Sequence, residues 1–407
     1  MTVPDSLCID LGASFTKIGY RVAPPAETHL LTHPDLTDEQ HFCIPSVAAR
    51  SPASNRWVFG PHAAGLKAGP RVELHDNWKA ELFAPDEGEF SMLDGADPEV
   101  RAELVAKVPQ LRAFDVVERY LRWLYDVQLP AMLGHDDFKA AQAQLCVPDF
   151  VLDSPLASRL DGLMRDIGFV NDGVYTMSEP KANLIGVLSE GRNPLTASGE
   201  PNLGAMFGDL SVLRTLSTPG QGVLIVDVGA FTTDIALAGF VHDGRQFDQD
   251  PAMSARLGVR KLDEWILADA SDEDAARARS NVLEREHFHR QVFGGPTGAR
   301  QPQTFGLTVD RVDAAVDRFA TAILTEMDTF LERSEAHTSF NGVLTGGGAN
   351  IRGLAKRLAK GLADRGVGAL HAPTTTDAPA NVQRYGLGPE LVRGASAMGG
   401  CSILYRL

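Results

Sequence analysis

Residues 9–18 read IDLGASFTKI, and residues 226–235 read VDVGAFTTDI. The two stretches lie about half the chain apart. Both contain D-x-G-A, a Thr three residues after the Ala, then a charged residue and an Ile. Apolar residues precede each one: Leu7-Cys8-Ile9 in the first case, Val223-Leu224-Ile225-Val226 in the second. A further β-favouring stretch follows both. This pattern predicts two β-hairpins, each with an Asp at the end of a buried strand and a Gly in the turn. One D-x-G is ordinary turn chemistry; its recurrence is the informative part. A turn glycine lets backbone approach a ligand, and the turn's N–H groups can cradle an anion. The aspartate is a hard oxygen ligand suited to Mg²⁺ or its water shell. Two such turns facing one another would clamp a polyphosphate.

A third element, Val343 to Arg352 (VLTGGGANIR), reads as a short strand, three glycines and a helix start with Asn350 as N-cap. No G-x-x-x-x-G-K-[ST] occurs, and G-x-G-x-x-G is absent at a strand-to-helix turn, which excludes the Walker and Rossmann modes of phosphate binding.

The rest of the chain bounds the answer. Its 407 residues are 44% hydrophobic and 22% charged, which fits a globular protein of two lobes or more. A net charge of −15 argues against generic binding to nucleic acid. The densest basic stretch, Arg352 to Arg365, has Leu354, Leu358 and Leu362 at four-residue spacing and reads as an amphipathic helix with a solvated face. The four cysteines are scattered and form no C-x-x-C, so neither structural zinc nor a disulfide framework is expected. The N-terminus lacks the form of a signal peptide, and no run could span a bilayer. A cytoplasmic protein is the expectation.

The three segments, in this order, resemble the phosphate-1, phosphate-2 and adenosine motifs of the superfamily uniting actins, heat-shock chaperone ATPases and sugar kinases. Phosphate 1 matches Asp10 to Lys17, phosphate 2 matches Asp227 to Asp234, and the adenosine motif matches Gly346-Gly347-Gly348-Ala349. Ser178-Glu179-Pro180-Lys181-Ala182-Asn183 resembles the first connecting helix, and Gly394 to Gly399 (GASAMG) resembles the second. Ile44 to Val47 with Phe59 to Ala64, and Leu257 to Asp263, resemble the openings of the two small subdomains. The resemblance is strongest to bacterial actin-like proteins. It implies an α/β chain of two lobes, each a mixed five-stranded sheet flanked by helices, with ATP in the cleft. Lobe I would take residues 1–180 with an insertion at about 30–105. Lobe II would take 181–385 with a small subdomain at about 258–305, and residues 386–407 would return to lobe I. Two stretches depart from the pattern: Ala84 to Glu99, read as an exposed loop, and residues 191–221, an insertion.

The resemblance also assigns roles. Asp10 and Asp227 would hold Mg²⁺ through waters. Backbone N–H groups of Gly12, Ala13, Ser14 and Phe15, and of Gly229, Ala230, Phe231 and Thr232, would bind phosphates. Lys17 would place a point charge there, while Ser14, Thr16, Thr232 and Thr233 are candidate hydroxyl donors. Gly346, Gly347, Gly348 and Asn350 would face the nucleoside. Glu179 is the first candidate for orienting the attacking water and Asp234 the second. Lys79 resembles a chaperone lysine that reaches the γ-phosphate, but reads equally as a surface lysine. Residues 275–290 read as a helix that could supply adenine contacts, with Arg279 and Glu284 possible. His287 and His289 lack the i, i+4 spacing of a helical zinc pair.

The expected product is an ATP-hydrolysing switch. Its output would be self-assembly into cytoskeletal filaments, with His29 to Cys43 or Met206-Phe207 and Val212-Leu213 as contact patches. The alternatives are a chaperone-like ATPase without a client-binding domain, since the last match lies close to Leu407, and a small-molecule kinase, for which no sugar-binding motif is evident.

Overall fold

The computed structural model describes residues 4–22, 27–36, 41–84, 90–93, 95–189, 221–241, 246–249, 252–268, 270–294, 299–333, 339–373, 382–384 and 389–402. The first echo is a hairpin of β1 (Pro4–Leu11) and β2 (Phe15–Val22), antiparallel and joined by a tight turn. Short strands β3 (Thr28–Leu30) and β4 (Ile44–Pro45) both pair with β2. A separate small antiparallel sheet follows, with β5 (Ala48–Ser51) between β6 (Arg56–Phe59) and β7 (Glu73–His75). The chain then returns to the first sheet as β8 (Gln142–Val147), parallel to β1, and β9 (Thr176–Ser178), parallel to β8.

The second echo repeats this plan. β10 (Gln221–Val228) and β11 (Thr233–Val241) form the hairpin, with β12 (Gln246–Gln249) and β13 (Met253–Ala255) both paired to β11. β14 (Ser339–Thr345) lies parallel to β10, followed by parallel β15 (Val367–Ala372) and β16 (Val382–Arg384). The strand orders, β3-β2-β1-β8-β9 and β12-β11-β10-β14-β15-β16, place each hairpin's first strand beside a parallel partner. Register repeats as well. Asp10 stands opposite Lys17 and Asp227 opposite Asp234, one step before Leu11–Thr16 and Val228–Thr233. The chain is therefore α/β with mixed sheets, and the sequence echo is an echo of topology. Each sheet exceeds five strands, the first by β4 and the second by β13 and β16.

Central position explains composition. The central stretches of β1 and β10, Leu7-Cys8-Ile9 and Val223-Leu224-Ile225-Val226, are apolar throughout because both faces are covered. One core gathers Ile9, Leu11, Tyr120, Leu121 and Leu160; the other gathers Val223, Ile225, Phe319, Ile323 and Leu358. Two helices, Glu179–Ser189 and Pro389–Gly400, touch strands of both sheets and cross one another. They approach at backbone distance, since a Cβ on Gly186 would overlap the Ala395 carbonyl and one on Gly399 the Ala182 carbonyl.

Three local readings are corrected. Asn350 ends a 3-10 turn (Gly347–Asn350), and the helix Leu354–Ala363 is preceded instead by Gly353 in the left-handed region. Part of the stretch Ala84 to Glu99 is not an exposed loop: Phe90 and Leu93 are buried in a 3-10 turn, with Phe90 against Phe114. Residues 275–290 are not one helix but parts of two, Asp272–Arg279 and Val282–Phe293, because the Asn281 side chain accepts from the Glu284 N–H and starts a new helix. The basic helix Leu354–Ala363 buries Leu354, Leu358 and Leu362 as expected. Arg357 on it pairs with Asp317, and Arg365 just beyond it pairs with Asp328, both on the helix Val309–Leu331. Among the described residues no helix is long and apolar enough to cross a membrane. Residues 191–220, including Met206, Phe207, Val212 and Leu213, lie outside the described residues. In the other candidate contact stretch, Leu31, His33, Phe42 and Cys43 are buried in the chain's own core.

Candidate functional site

The two echoed strands deliver Asp10 and Asp227, and the helix that follows β9 opens with Glu179. All three carboxylates are at least nine-tenths buried, as is Asp234. Burial of so many acidic groups demands partners.

Asp10 receives Lys17 Nζ at 2.9 Å on Oδ2, across the hairpin. Its other oxygen, Oδ1, is buried without a hydrogen-bond partner. An orphaned buried carboxylate oxygen is costly, and it marks a place where a ligand's donor or a cation's water belongs. Burial alone would lower the Lys17 ammonium, but Asp10 foremost, together with Cys43 and Glu179, more than reverses this and holds it charged.

Glu179 receives Lys79 Nζ at 2.9 Å on Oε2. Lys79 lies on the short helix Trp78–Leu82 and is 3% exposed, so it is no surface lysine. Burial opposes its charge, yet Glu179 and then Asp10 push its proton affinity above the ordinary lysine value.

Asp227 accepts from Asn183 Nδ2 on Oδ2, and its Oδ1 lies against Gly346. Burial, followed by the nearby Glu179, raises its carboxyl to about 7. Asp234 accepts from Thr232 Oγ1 at 2.9 Å and from Ser254 Oγ. Burial lifts its carboxyl well above the usual range, with Glu179 and Asp227 adding to the effect. These mutual influences join Asp10, Glu179, Asp227 and Asp234 with Lys17 and Lys79 in one electrostatic cluster. Acidic groups outnumber the lysines, so the cluster favours an added cation.

Among the described residues no group of three or more His, Cys, Asp or Glu could enclose a metal ion directly. Mg²⁺ keeps several waters and takes one or two carboxylates together with substrate phosphates. The orphaned Asp10 Oδ1 and the acidic excess fit such an ion, with Asp10 and Asp227 as the groups that would hold its shell.

The turns differ in detail from the sequence reading. The N–H groups of Gly12 and Gly229 close their own turns, on Asp10 O at 3.0 Å and Thr232 O at 2.9 Å. Neither N–H is therefore free for an anion, which leaves the remaining backbone N–H groups of the two turns as the candidates. Thr16 is corrected too. It is fully buried and bonded to Ser46 Oγ at 2.9 Å and Tyr120 OH at 3.1 Å. Strand alternation sends it to the opposite face from Lys17. Thr233 donates to Leu257 O, and Thr232 is engaged with Asp234, which leaves Ser14 as the half-buried hydroxyl.

Comparison of the sequence with protein-family models and with curated proteins finds no match.

The structure also brings in residues that the motifs did not single out. Arg260 opens the helix Val259–Leu267, and its N–H and that of Val259 donate to Ala230 O and Gly229 O. Its guanidinium reaches Ala13 O at 2.8 Å, so one residue ties the two turns together. Ser254 on β13 accepts from the Asp149 N–H at 2.9 Å and links Asp234 to the first sheet's side. Asn183, noticed only as part of a motif, contacts Asp227, Ser396 and Thr345. Its side-chain polarity at the fifth position of an apolar helix was the available signal. Of the nucleoside candidates, Gly346 and Gly348 are buried against Val228, while Gly347 and Asn350 are exposed. The adenine candidates do not converge: Arg279 is exposed and Glu284 pairs with Lys67. His289 is held by Asp263 at 2.9 Å.

Proposed function

We propose that the chain binds Mg-ATP between the two sheets, in a two-lobed actin-like arrangement, and hydrolyses it to ADP and phosphate. The observation that carries this reading is the pairing of Asp10 and Asp227 at matching register positions of two like sheets, with the Lys79–Glu179 pair in the same charge cluster. Lobe I would comprise residues 1–180 and lobe II 181–385, with 386–407 returning to lobe I.

Phosphoryl transfer needs positioning and charge neutralisation more than covalent chemistry. Mg²⁺, when bound, supplies charge neutralisation at the phosphate oxygens. Ala13, Ser14, Ala230 and Phe231 present backbone N–H groups to the phosphates, and Lys17 and Lys79 add point charges. Glu179 orients the attacking water and accepts its proton, held in place at Oε2 by Lys79. Asp234 is the weaker candidate, because hydroxyls already occupy both its oxygens.

Glu179→Ala should keep ATP bound yet slow phosphate release by more than about tenfold, the loss expected on removing a proton-accepting group. Unchanged turnover would remove Glu179 from the mechanism. Asp10→Ala and Asp227→Ala should each lose Mg-ATP binding, and full binding in both would refute the clamp. Filament assembly is the output proposed for this switch, on sequence resemblance alone. Pelleting and electron microscopy with ATP, ADP or no nucleotide test it, and absence of polymer across salt and Mg²⁺ conditions would exclude it. The burial of Lys79 against Glu179 favours a second reading, a chaperone-like switch, which that outcome would leave standing.

A further inference from the structure

The echo between the hairpins breaks at one informative position. After the shared Thr comes Lys17 in the first and Asp234 in the second. By register these residues stand opposite Asp10 and Asp227. Asp10 therefore receives a counter-charge from its own hairpin, whereas Asp227 faces a like charge and must be held by something else. The residue that holds it is Asn183, from the helix Glu179–Ser189.

We propose that Asn183 is a positioning residue that fixes the Asp227 carboxylate for the cation through its side-chain amide, the task Lys17 performs for Asp10. The inference rests on the Mg-ATP reading and concerns which of the chain's own groups make Asp227 ready. Asn183 is 2% exposed, and each of its side-chain polar atoms has a partner. Nδ2 donates to Asp227 Oδ2 and to Ser396 Oγ, the latter at 3.2 Å, while Oδ1 accepts from Thr345 Oγ1 at 3.2 Å. An ionised carboxylate can only accept, so the amide must turn its nitrogen to Asp227, and Thr345 is left to satisfy the oxygen. Asp227 Oδ1 is confined from the other side by Gly346. Both oxygens are thus located before any ligand arrives. A neutral amide orients the carboxylate without cancelling its charge, as a lysine would in part. Outer partners of this kind orient the groups that hold a metal and tune its affinity.

The competing explanation is that Asn183 merely ties together the two crossing helices through Ser396. The two roles separate in a binding measurement with a fluorescent ATP analogue, titrated with Mg²⁺ and with EDTA. The readout is the Mg²⁺-dependent gain in affinity. Asn183→Leu, similar in volume, should cut that gain by about tenfold or more, as for loss of a hydrogen bond to a charged group. Affinity in EDTA should stay within about twofold. Ser396→Ala, which removes the helix tie alone, should retain the gain. In an Asp227→Asn background, Asn183→Leu should cause no further loss, because residues acting through one group are not additive. Asn183→Ala, which adds no bulk, takes the place of Asn183→Leu where the latter does not fold. An undiminished gain in these variants, an equal loss in Ser396→Ala, or a further loss in the Asp227→Asn background would overturn the inference. A wild type whose ATP affinity ignores Mg²⁺ would overturn the Mg-ATP reading and this inference with it. A responsive wild type with an equally responsive Asn183 variant overturns the inference alone.

Discussion

Lys79 and Glu179, 100 residues apart in sequence, meet at 2.9 Å in a place where neither is appreciably exposed. Desolvating both ions is expensive, and their attraction offsets that cost only while both are present. Removing one leaves the other buried and uncompensated. Lys79→Ala should therefore destabilise the ligand-free protein by about 3 kcal/mol, and the double variant Lys79→Met, Glu179→Gln should recover most of it. Denaturant melts of wild type and these two variants check the point. A Lys79→Ala protein as stable as wild type would mean the pair is wetter than the structure shows.

Asp227 carries a cost of a different sign. Its carboxyl is lifted to about 7 by burial and by Glu179, whereas an unfolded aspartate titrates near ~4. Between those values the folded chain binds more protons than the unfolded one. This group's contribution to stability therefore falls as pH rises and is least favourable above about 7. Asp227→Asn should be more stable than wild type at pH ~8 without ligand, by up to about 4 kcal/mol, with the advantage shrinking toward pH ~4. Thermal melts across that range, read as the difference between the two proteins, isolate the effect. An advantage that does not change with pH would show that Asp227 is not the titrating group.

Thr16 separates fold from site. Its hydroxyl belongs to the buried cluster with Ser46 and Tyr120, on the far face of β2 from Lys17. Thr16→Val should cost about 1–3 kcal/mol of stability, because it strands buried hydroxyls, yet leave nucleotide affinity within about twofold. Lys17→Met should instead weaken ATP binding markedly, and because it strands the buried Asp10 carboxylate it should cost stability as well. Equal effects of the two on ATP affinity would restore Thr16 to the site.

The contrast between these neighbours shows what the sequence could and could not disclose. The hairpins were legible because D-x-G between apolar and β-branched runs is a local signal, and its repetition identified the pair as a unit. Asp10, Asp227 and Glu179, each in a separate motif, lie close enough for Glu179 and Asp10 to act on the Asp227 carboxyl. Less legible was which face each neighbour takes. Thr16 and Lys17 are adjacent in every motif but opposite on the pleat, and strand phase is settled only by what packs on each side. Lys79 could not be placed, since a lone lysine on a five-residue helix has no pattern, and its burial comes from a partner far along the chain. Asn350 failed as a cap for a related reason: the chain spends a 3-10 turn before the helix, and a glycine in the left-handed region serves there.

Gly346 joins the triple-glycine turn to the carboxylate beneath it. Its φ is +84°, a region that side chains other than glycine rarely adopt, and a Cβ there would overlap Asp227 Oδ1 and the Val228 backbone. Its N–H donates to Val392 O at 2.7 Å, so the turn is also fastened to the helix Pro389–Gly400. Gly346→Ala cannot relax by moving a flexible side-chain end, since the obstacles are a fixed carboxylate and main chain. It should cost about 1–3 kcal/mol of stability, the usual range for forcing a residue into a sparsely populated backbone region, and displace Asp227 as well. Loss of the Mg²⁺-dependent gain in ATP affinity should accompany the loss of stability. Gly347→Ala is the control: a Cβ there meets open space, and both quantities should stay near wild type. Equal losses in the two variants would show that the loop responds to any added side chain. A loss confined to Gly346→Ala would locate the effect at the contact with Asp227.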